Sequence, residues 1–389
     1  MEDEVDVAVV GGGPAGSTLA ALLAQRGISV ALIDRDTFPR DKLCGEFLSY
    51  DALPILERLG VLHDVDERGA PRIALCRVIG SKRTLTFDFP DVARGISRMT
   101  LDDLLFRAAI TAGAQNFAGW TAEKIASGTL ELRRGDERRT FRARAIAGAW
   151  GRWGRFDAEL GRGFVRDRSH RNFGFKRHYF AASQPEAIEL FSFRDGYLGV
   201  NAIEDGLTNI CGLVHGSRLS GHKGRWDAFV ETIRSEEPRL EELYSRHVPA
   251  QPNWLSSEPV IFRARSPVEG GIFMIGDASG IIDPLTGNGM AMAIQSALLV
   301  APSLVRLLEK PDDRRRIERE YRARHQTLFG SRIAWSRRVA RLLSRPRLLD
   351  VALASVRSRA IGRFLLRRTR ATRESVARLA DQWFAPQSG

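Results

Sequence analysis

Three glycines spaced Gly11-x-Gly13-x-x-Gly16, with a carboxylate at Asp34, are the first residues whose types and spacing imply chemistry. The glycines follow the apolar run Val5 to Val10, and Asp34 closes a second apolar run, Ile28 to Ile33, eighteen residues past Gly16. The first glycine permits a tight turn, the second lets a pyrophosphate approach the backbone, and the third lets helix and strand pack closely. A carboxylate at Asp34 can accept hydrogen bonds from a ribose. Pro14, Ala15 and Arg35 belong to the same contact set by position. A second group comes late in the chain: Gly276-Asp277-Ala278, then Asp283-Pro284 and Gly287-Asn288-Gly289 at the start of a helix. The segment Lys42-x-Cys44-Gly45-Glu46 lies between them. Its thiol is either a proton donor or a small apolar filler. Seven histidines show no Ser/His/Asp or metal-binding pattern, so no metal is expected. Of these, His170 and His178 sit in a strand-rich stretch and are read as surface or core residues before substrate contacts.

The glycine turn sits inside a βαβ unit, with a helix from Ser17 to Arg26 between the two apolar runs. A long connection follows, then a short helix over 52–59 capped by Ser49 or Asp51. Strands are expected at 72–78 and 83–89, then a helix with Thr100 as its N-cap. Strands at 120–125, 129–132 and 138–147 form a meander. A second strand-rich region covers 173–180, 187–193, 196–203 and 207–214, with a helix near 225–246. A strand ending on Gly276-Asp277 leads to a helix over 290–308. The expected fold is α/β. A discontinuous Rossmann-like nucleotide domain (1–70, 95–160, 265–310) carries a β-sheet substrate domain (71–94, 161–264) and an Arg-rich helical C-terminal region (311–389).

Length and composition suit a soluble two-domain protein: 389 residues, 43% apolar. No apolar run reaches the roughly 18 residues of a membrane span. The acidic start (Glu2, Asp3, Glu4) argues against a signal peptide, and three cysteines without a CxxC spacing suit a reduced cytoplasmic protein. The net charge of +12 is local. Residues 311–389 hold 20 Arg, no Lys and 7 acids, a net of +13, so the other 310 sum to about −1. A neutral body argues against nucleic acid as a partner. The tail is read as a solvated helical surface or as a peripheral membrane contact. Ile333, Trp335, Val339, Leu342 and Leu343 beside Arg337, Arg338 and Arg341 suit either an anionic bilayer or, preferably, packing on the nucleotide domain.

Taken together, the glycine motif, Arg98 before Leu101-Asp102-Asp103, and the late Gly-Asp, Asp-Pro and Gly-Asn-Gly motifs resemble FAD-dependent oxidoreductases. The resemblance is to the superfamily of class A flavin monooxygenases and geranylgeranyl reductases, over about residues 4 to 310. It implies FAD as cofactor, Asp277 at the ribityl chain or pyrophosphate, Arg98 at the phosphates, and a helix N-terminus at Gly287 to Gly289 aimed at the flavin pyrimidine. The Cys44-Gly45 segment resembles one lying near the flavin in the prenyl-reductase branch, making Cys44 the candidate catalytic residue. Glu46, Tyr197 and Asn201 are the candidate substrate contacts. Three departures stand out. Gly199 to Ala202 replace an aromatic and a Phe-Pro of the reductase branch. Trp150 stands where many hydroxylases carry the Asp of an Asp-Gly motif, which leaves NADPH or NADH open as electron donor. The Trp-x-Trp-x-Ile-Pro segment of flavin halogenases does not occur. The expected reaction is hydroxylation of a hydrophobic aromatic or polyketide-like molecule by O2 through a C4a-hydroperoxyflavin. Saturation of isoprenoid double bonds is the second expectation, and a flavin-binding protein acting through its basic tail the third.

Overall fold

A computed structural model describes residues 3–126, 128–166, 171–181, 183–222, 224–262, 265–355 and 360–385. His170 lies outside the described residues. Two sheets and a helical layer build the fold. The strands are β1 (Asp3–Val10), β2 (Val30–Asp34), β3 (Phe47–Leu48), β4 (Arg72–Ile79), β5 (Thr84–Gly95), β6 (Gln115–Ala118), β7 (Thr121–Ala126), β8 (Thr129–Arg134), β9 (Glu137–Gly148), β10 (Asn172–Ala181), β11 (Ala187–Phe193), β12 (Gly196–Ala202), β13 (Leu207–His215), β14 (His247–Pro249), β15 (Leu255–Ser256), β16 (Val268–Glu269) and β17 (Ile272–Met274). The helices are α1 (Pro14–Ala24), α2 (Leu53–Arg58), α3 (Val61–Glu67), α4 (Arg98–Thr111), α5 (Arg155–Glu159), α6 (Trp226–Glu236), α7 (Pro238–Ser245), α8 (Gly289–Glu309), α9 (Arg314–His325), α10 (Ser331–Leu343), α11 (Pro346–Ser355), α12 (Ala360–Thr369) and α13 (Arg373–Phe384).

The first sheet runs β16-β17-β9-β1-β2-β6, with β1 parallel to both β2 and β9. Its central strands carry apolar runs, Val7 to Val10, Val30 to Ile33 and Ala145 to Ala147, because both faces are covered there. Helices α1, α4 and α8 pack on one face, and the β7–β8 hairpin with Phe117, Trp120 and Phe141 covers the other. The second sheet runs β14-β10-β13-β12-β11-β4-β5-β3 and is antiparallel except at β11 and β4. One face is sealed by α6 and α7 through Phe175, Tyr179, Phe193 and Phe229, while the other looks toward the first sheet. Strand β3, from the segment read as part of the nucleotide unit, pairs with β5 and stitches that segment to the second sheet.

Helix α4 begins earlier than expected. Ser97, not Thr100, is the N-cap, and its Oγ accepts the Thr100 N–H at 3.1 Å. The single helix expected over 225–246 is broken into α6 and α7 at Pro238, which cannot continue a helix. Helix α8 has the length and apolarity of a membrane span, with mean hydropathy 1.7 in its best window, yet 72% of that window is buried in the protein. It is a core helix.

Candidate active site

The glycine turn and the Gly-Asn-Gly turn each lead into a helix whose N-terminus has no side-chain cap. Gly13 is the N-cap of α1 and has no side chain to cap with, so the first N–H groups stay free. Gly11 and Gly16 make the turn possible: Gly11 has φ +113°, and a Cβ on Gly16 would lie 1.8 Å from the Gly11 carbonyl. Asn288 is the N-cap of α8, yet its amide NH2 donates to the Thr369 carbonyl at 2.8 Å and its Oδ1 accepts no backbone N–H, so it caps nothing. Pro14 and Ala15 open α1 and are buried, whereas Pro284 is exposed on the turn before Gly287.

Asp34 is held by two backbone donors, Gly12 at 2.6 Å and Asp36 at 2.9 Å, and by Arg40 at 3.3 Å. Arg35 turns out to solvent, with 72% of its side chain exposed, because successive residues leaving a strand end point to opposite sides. Arg40, not Arg35, is the arginine packed against Asp34. Arg40 and Arg98 converge on the buried Asp102, at 2.6 Å from Arg40 and at 2.6 and 2.7 Å from Arg98. Burial works against the Arg98 charge, and Asp102 more than reverses it, fixing the guanidinium as a cation. The spacing Arg98-x-x-x-Asp102, one helical turn, was the legible signal for this pair.

The late motifs close on the same place. A Cβ on Gly276 would lie 3.0 Å from the Ala15 Cβ, which puts the Gly-Asp turn against the start of α1. Arg152 bridges Asp277, at 3.4 Å, and the Leu43 carbonyl, at 3.0 Å, so it ties that turn to the Cys44 segment. Trp150 is folded inward: its indole donates to Asp157 at 3.2 Å and fills space that Gly148 and Gly154 leave open. Tyr197 donates to Asp283 at 2.7 Å and is 5% exposed, so it pins the Asp-Pro turn to the second sheet. Burial pushes the Asp283 carboxyl up to about 6, against the pull of the Tyr197 hydrogen bond.

Above this cradle stands a buried charge cluster that the sequence did not reveal. On β10, Gly174, Lys176 and His178 alternate toward the 41–46 segment, while Phe175, Arg177 and Tyr179 point to α6 and α7. Glu46, at φ +54°, accepts from Lys176 at 2.7 Å, from His178 Nε2 at 2.7 Å and from the Arg98 N–H at 2.9 Å. Lys176 spends its remaining donors on Asp41 at 2.7 Å and the Lys42 carbonyl at 3.3 Å. Burial alone would raise the Glu46 pKa, but Lys176 and His178 together hold it below the carboxylate norm. Asn201 and Asn209, a cross-strand pair, donate to the carbonyls of Glu46 (3.3 Å) and Cys44 (3.1 Å). Asn201 thus grips the segment from behind. The Cys44 Sγ accepts the Glu46 N–H at 3.4 Å, and burial pushes its thiol pKa up, so it keeps its proton.

The residues fit FAD. A Cβ on Gly13 would find only Arg98 at 3.7 Å and Arg40 at 3.9 Å, and at Gly45 and Gly289 it would find nothing within 4 Å. Space therefore opens beside two free helix N-termini and two fixed cations, a setting for a diphosphate and an electron-rich ring. A hollow of about 520 Å³ between α8 and α13, lined by Arg26, Pro302 and Trp383, shares none of these residues.

The pattern of the family described as FAD binding domain matches residues 4–328. Among curated relatives, a tryptophan 2-halogenase of Chondromyces crocatus is 27% identical over 325 residues, covering 78% of this chain, which spans 62% of that protein's length. A menaquinone reductase of Mycobacterium tuberculosis is 29% identical over 376 residues, covering 90% of this chain and 86% of the relative. The fold matches a myxobacterial chondrochloren halogenase (TM-score 0.78, 21% identity, 99% and 98% coverage). It also matches a geranylgeranyl bacteriochlorophyll reductase-like protein of Thermoplasma acidophilum (0.77, 20%, 99% and 97%). A third match is PqsL of Pseudomonas aeruginosa in complex with 2-aminobenzoylacetate (0.73, 17%, 91% and 100%). The chain belongs to the FAD binding domain family, matched over residues 4–328, and shares its fold with a halogenase, a geranylgeranyl reductase-like protein and PqsL.

Proposed function

We propose that this enzyme hydroxylates a hydrophobic small molecule, with Glu46 and His178 handling the substrate proton. The single observation that carries the reading is the buried Glu46–His178 contact of 2.7 Å on the sheet face above the cradle. With Glu46 held as a carboxylate by Lys176, His178 donates from Nε2, which leaves Nδ1 as the lone-pair nitrogen. Among the described residues Nδ1 has no partner. A hydroxyl that loses its proton to Nδ1 makes an aromatic ring electron-rich, and such a ring reacts faster with an electrophilic oxygen. FAD, when bound, supplies the redox chemistry. Gly13 and Arg98, with Arg40 behind, would hold its diphosphate, Asp34 its ribose and Asp277 its ribityl region, and the α8 N-terminus would face its ring. PqsL, which shares this fold, is seen in complex with 2-aminobenzoylacetate, and a small aromatic molecule of that class suits this reading.

The second reading is double-bond reduction, favoured by the protonated Cys44 thiol and by the reductase relatives. Incubation of FAD-loaded protein with reductant and a panel of aromatic and isoprenoid compounds decides. Coupled O2 uptake with one oxygen added to product supports hydroxylation. Turnover without O2, adding two hydrogens, overturns it. In the hydroxylase, His178→Gln lowers kcat while FAD binding stays unchanged.

A further inference from the structure

We infer that the outward faces of α10, α11 and α12 form a docking surface for an anionic lipid bilayer. Residues 331–370 hold 12 Arg, no Lys and one acid, Asp350, a net of +11, so the other 349 residues sum to only +1. The single acid sits at the β4–β5 turn, where it accepts from the backbone of Lys82 and Arg83 at 3.2 Å, and it makes no ion pair with these arginines among the described residues. Arg338, Arg341, Arg345, Arg347, Arg367 and Arg368 are exposed and make no ion pair among the described residues. Elsewhere among the described residues exposed arginines commonly meet carboxylates, as Arg133 and Arg134 do.

Charge alone would describe a solvated surface. The second observation is apolar. Seven large hydrophobic side chains are exposed among the described residues, and four lie on these helices: Leu342 (36%), Leu348 (50%), Val351 (66%) and Phe364 (43%). Phe364 meets Trp335 edge-on at 5.8 Å, and Arg338 and Arg368 lie over these rings. Trp335, Arg338 and Leu342 recur at i, i+3 and i+7, one face of α10. Leu348 and Val351 recur at i and i+3 on α11. Each helix has its opposite face on the second sheet: α10 through the Leu343 carbonyl to Ser192, α11 through Asp350 to the β4–β5 turn, α12 through Gly362 against Phe87. The exposed groups therefore share the outer side of one helical layer. Apolar anchors ringed by unpaired arginines match the boundary between acyl chains and anionic headgroups. A nucleic acid would use the charge and leave Val351 and Leu348 without a partner.

The inference does not depend on which reaction the flavin performs. Its test is sedimentation of the full FAD-loaded chain with vesicles of phosphatidylcholine alone or mixed with phosphatidylglycerol. Binding to the mixed vesicles only, weakened at least about tenfold both by R341Q/R345Q/R347Q/R367Q and by L348S/V351S/F364S, supports it. The flavin absorbance and turnover of each variant stay at wild-type level, since none of these residues touches the cradle. Absence of lipid binding, equal binding to neutral vesicles, or a serine variant that binds mixed vesicles as wild type does would overturn it. So would protection of the same residues by duplex DNA or by a second copy of the chain in place of lipid.

Discussion

Glu46 and Lys176 show how much a single pair can decide. Both are fully buried, and each is charged because the other is. Removing one partner of such a pair leaves an uncompensated charge in the interior, at a cost of about 3–5 kcal/mol. Lys176→Met is expected to lower stability by about that much in urea unfolding. The double variant K176M/E46Q should lose less than the sum of the two single losses, because neither charge is then stranded. Additive losses would show the two side chains to be uncoupled. Asp283 works in the opposite direction. Its folded pKa of about 6 stands above the unfolded value, so between the two the folded chain holds more protons and stability falls as pH rises. The cost persists above about pH 6 and amounts to about 3 kcal/mol. Asp283→Asn keeps an acceptor for Tyr197 and Leu285 and removes the penalty. It should match wild type below about pH 4 and exceed it by up to about 3 kcal/mol near pH 8, read from unfolding midpoints across pH.

At the scale of elements, the glycine turn separates two jobs that the sequence motif fuses. Gly16→Ala drives a Cβ to 1.8 Å from the Gly11 carbonyl, so β1 and α1 must move apart and both folding and FAD binding should suffer. Gly13→Ala meets nothing closer than 3.7 Å, so the apoprotein should unfold at the wild-type temperature while FAD affinity falls about tenfold or more. Equal thermal loss in both variants would remove the distinction. The βαβ unit and the late Gly-Asp turn were legible because each is local: strand, turn and helix lie within thirty or so residues and carry their own punctuation. Helix starts were read less well. Ser97 and Thr100 are both good caps, and the choice between them is made by Glu204, which reaches from the β12–β13 turn to accept from Ser97 N (2.9 Å) and Thr100 Oγ1 (2.6 Å). No local pattern contains that partner. Lys176 and His178 were missed for the same reason. Their alternation with Phe175 and Tyr179 marks a strand with one polar face, but the carboxylate that makes the face a site comes from a segment 130 residues earlier in the chain.

For the whole molecule, the question is what the basic tail contributes. Its inner side is part of the cofactor domain's own fabric. Arg370 is buried, donates to Ser49 at 3.0 Å and to the Thr286 carbonyl at 2.5 Å, and covers the Phe89 ring. Asp51 accepts the Ala371 N–H at 3.1 Å, and Gln295 on α8 joins Asp51 to Arg332. The Asn288 amide reaches Thr369. The turn that leads into the α8 N-terminus is therefore braced from residues more than 80 positions downstream. Ending the chain after Leu308 would strip these donors from Asp51, Ser49 and Thr286 and uncover apolar surface that Val376, Ala380 and Trp383 now bury. The truncated chain is expected to aggregate or to lose FAD. Arg370→Ala, a milder cut, should cost about 2–4 kcal/mol and speed FAD release in stopped-flow dilution. The exposed arginines of α10 to α12 should change neither. If the truncated chain folds cooperatively and holds FAD with wild-type affinity, the tail is an appendage, and the cradle is complete without it.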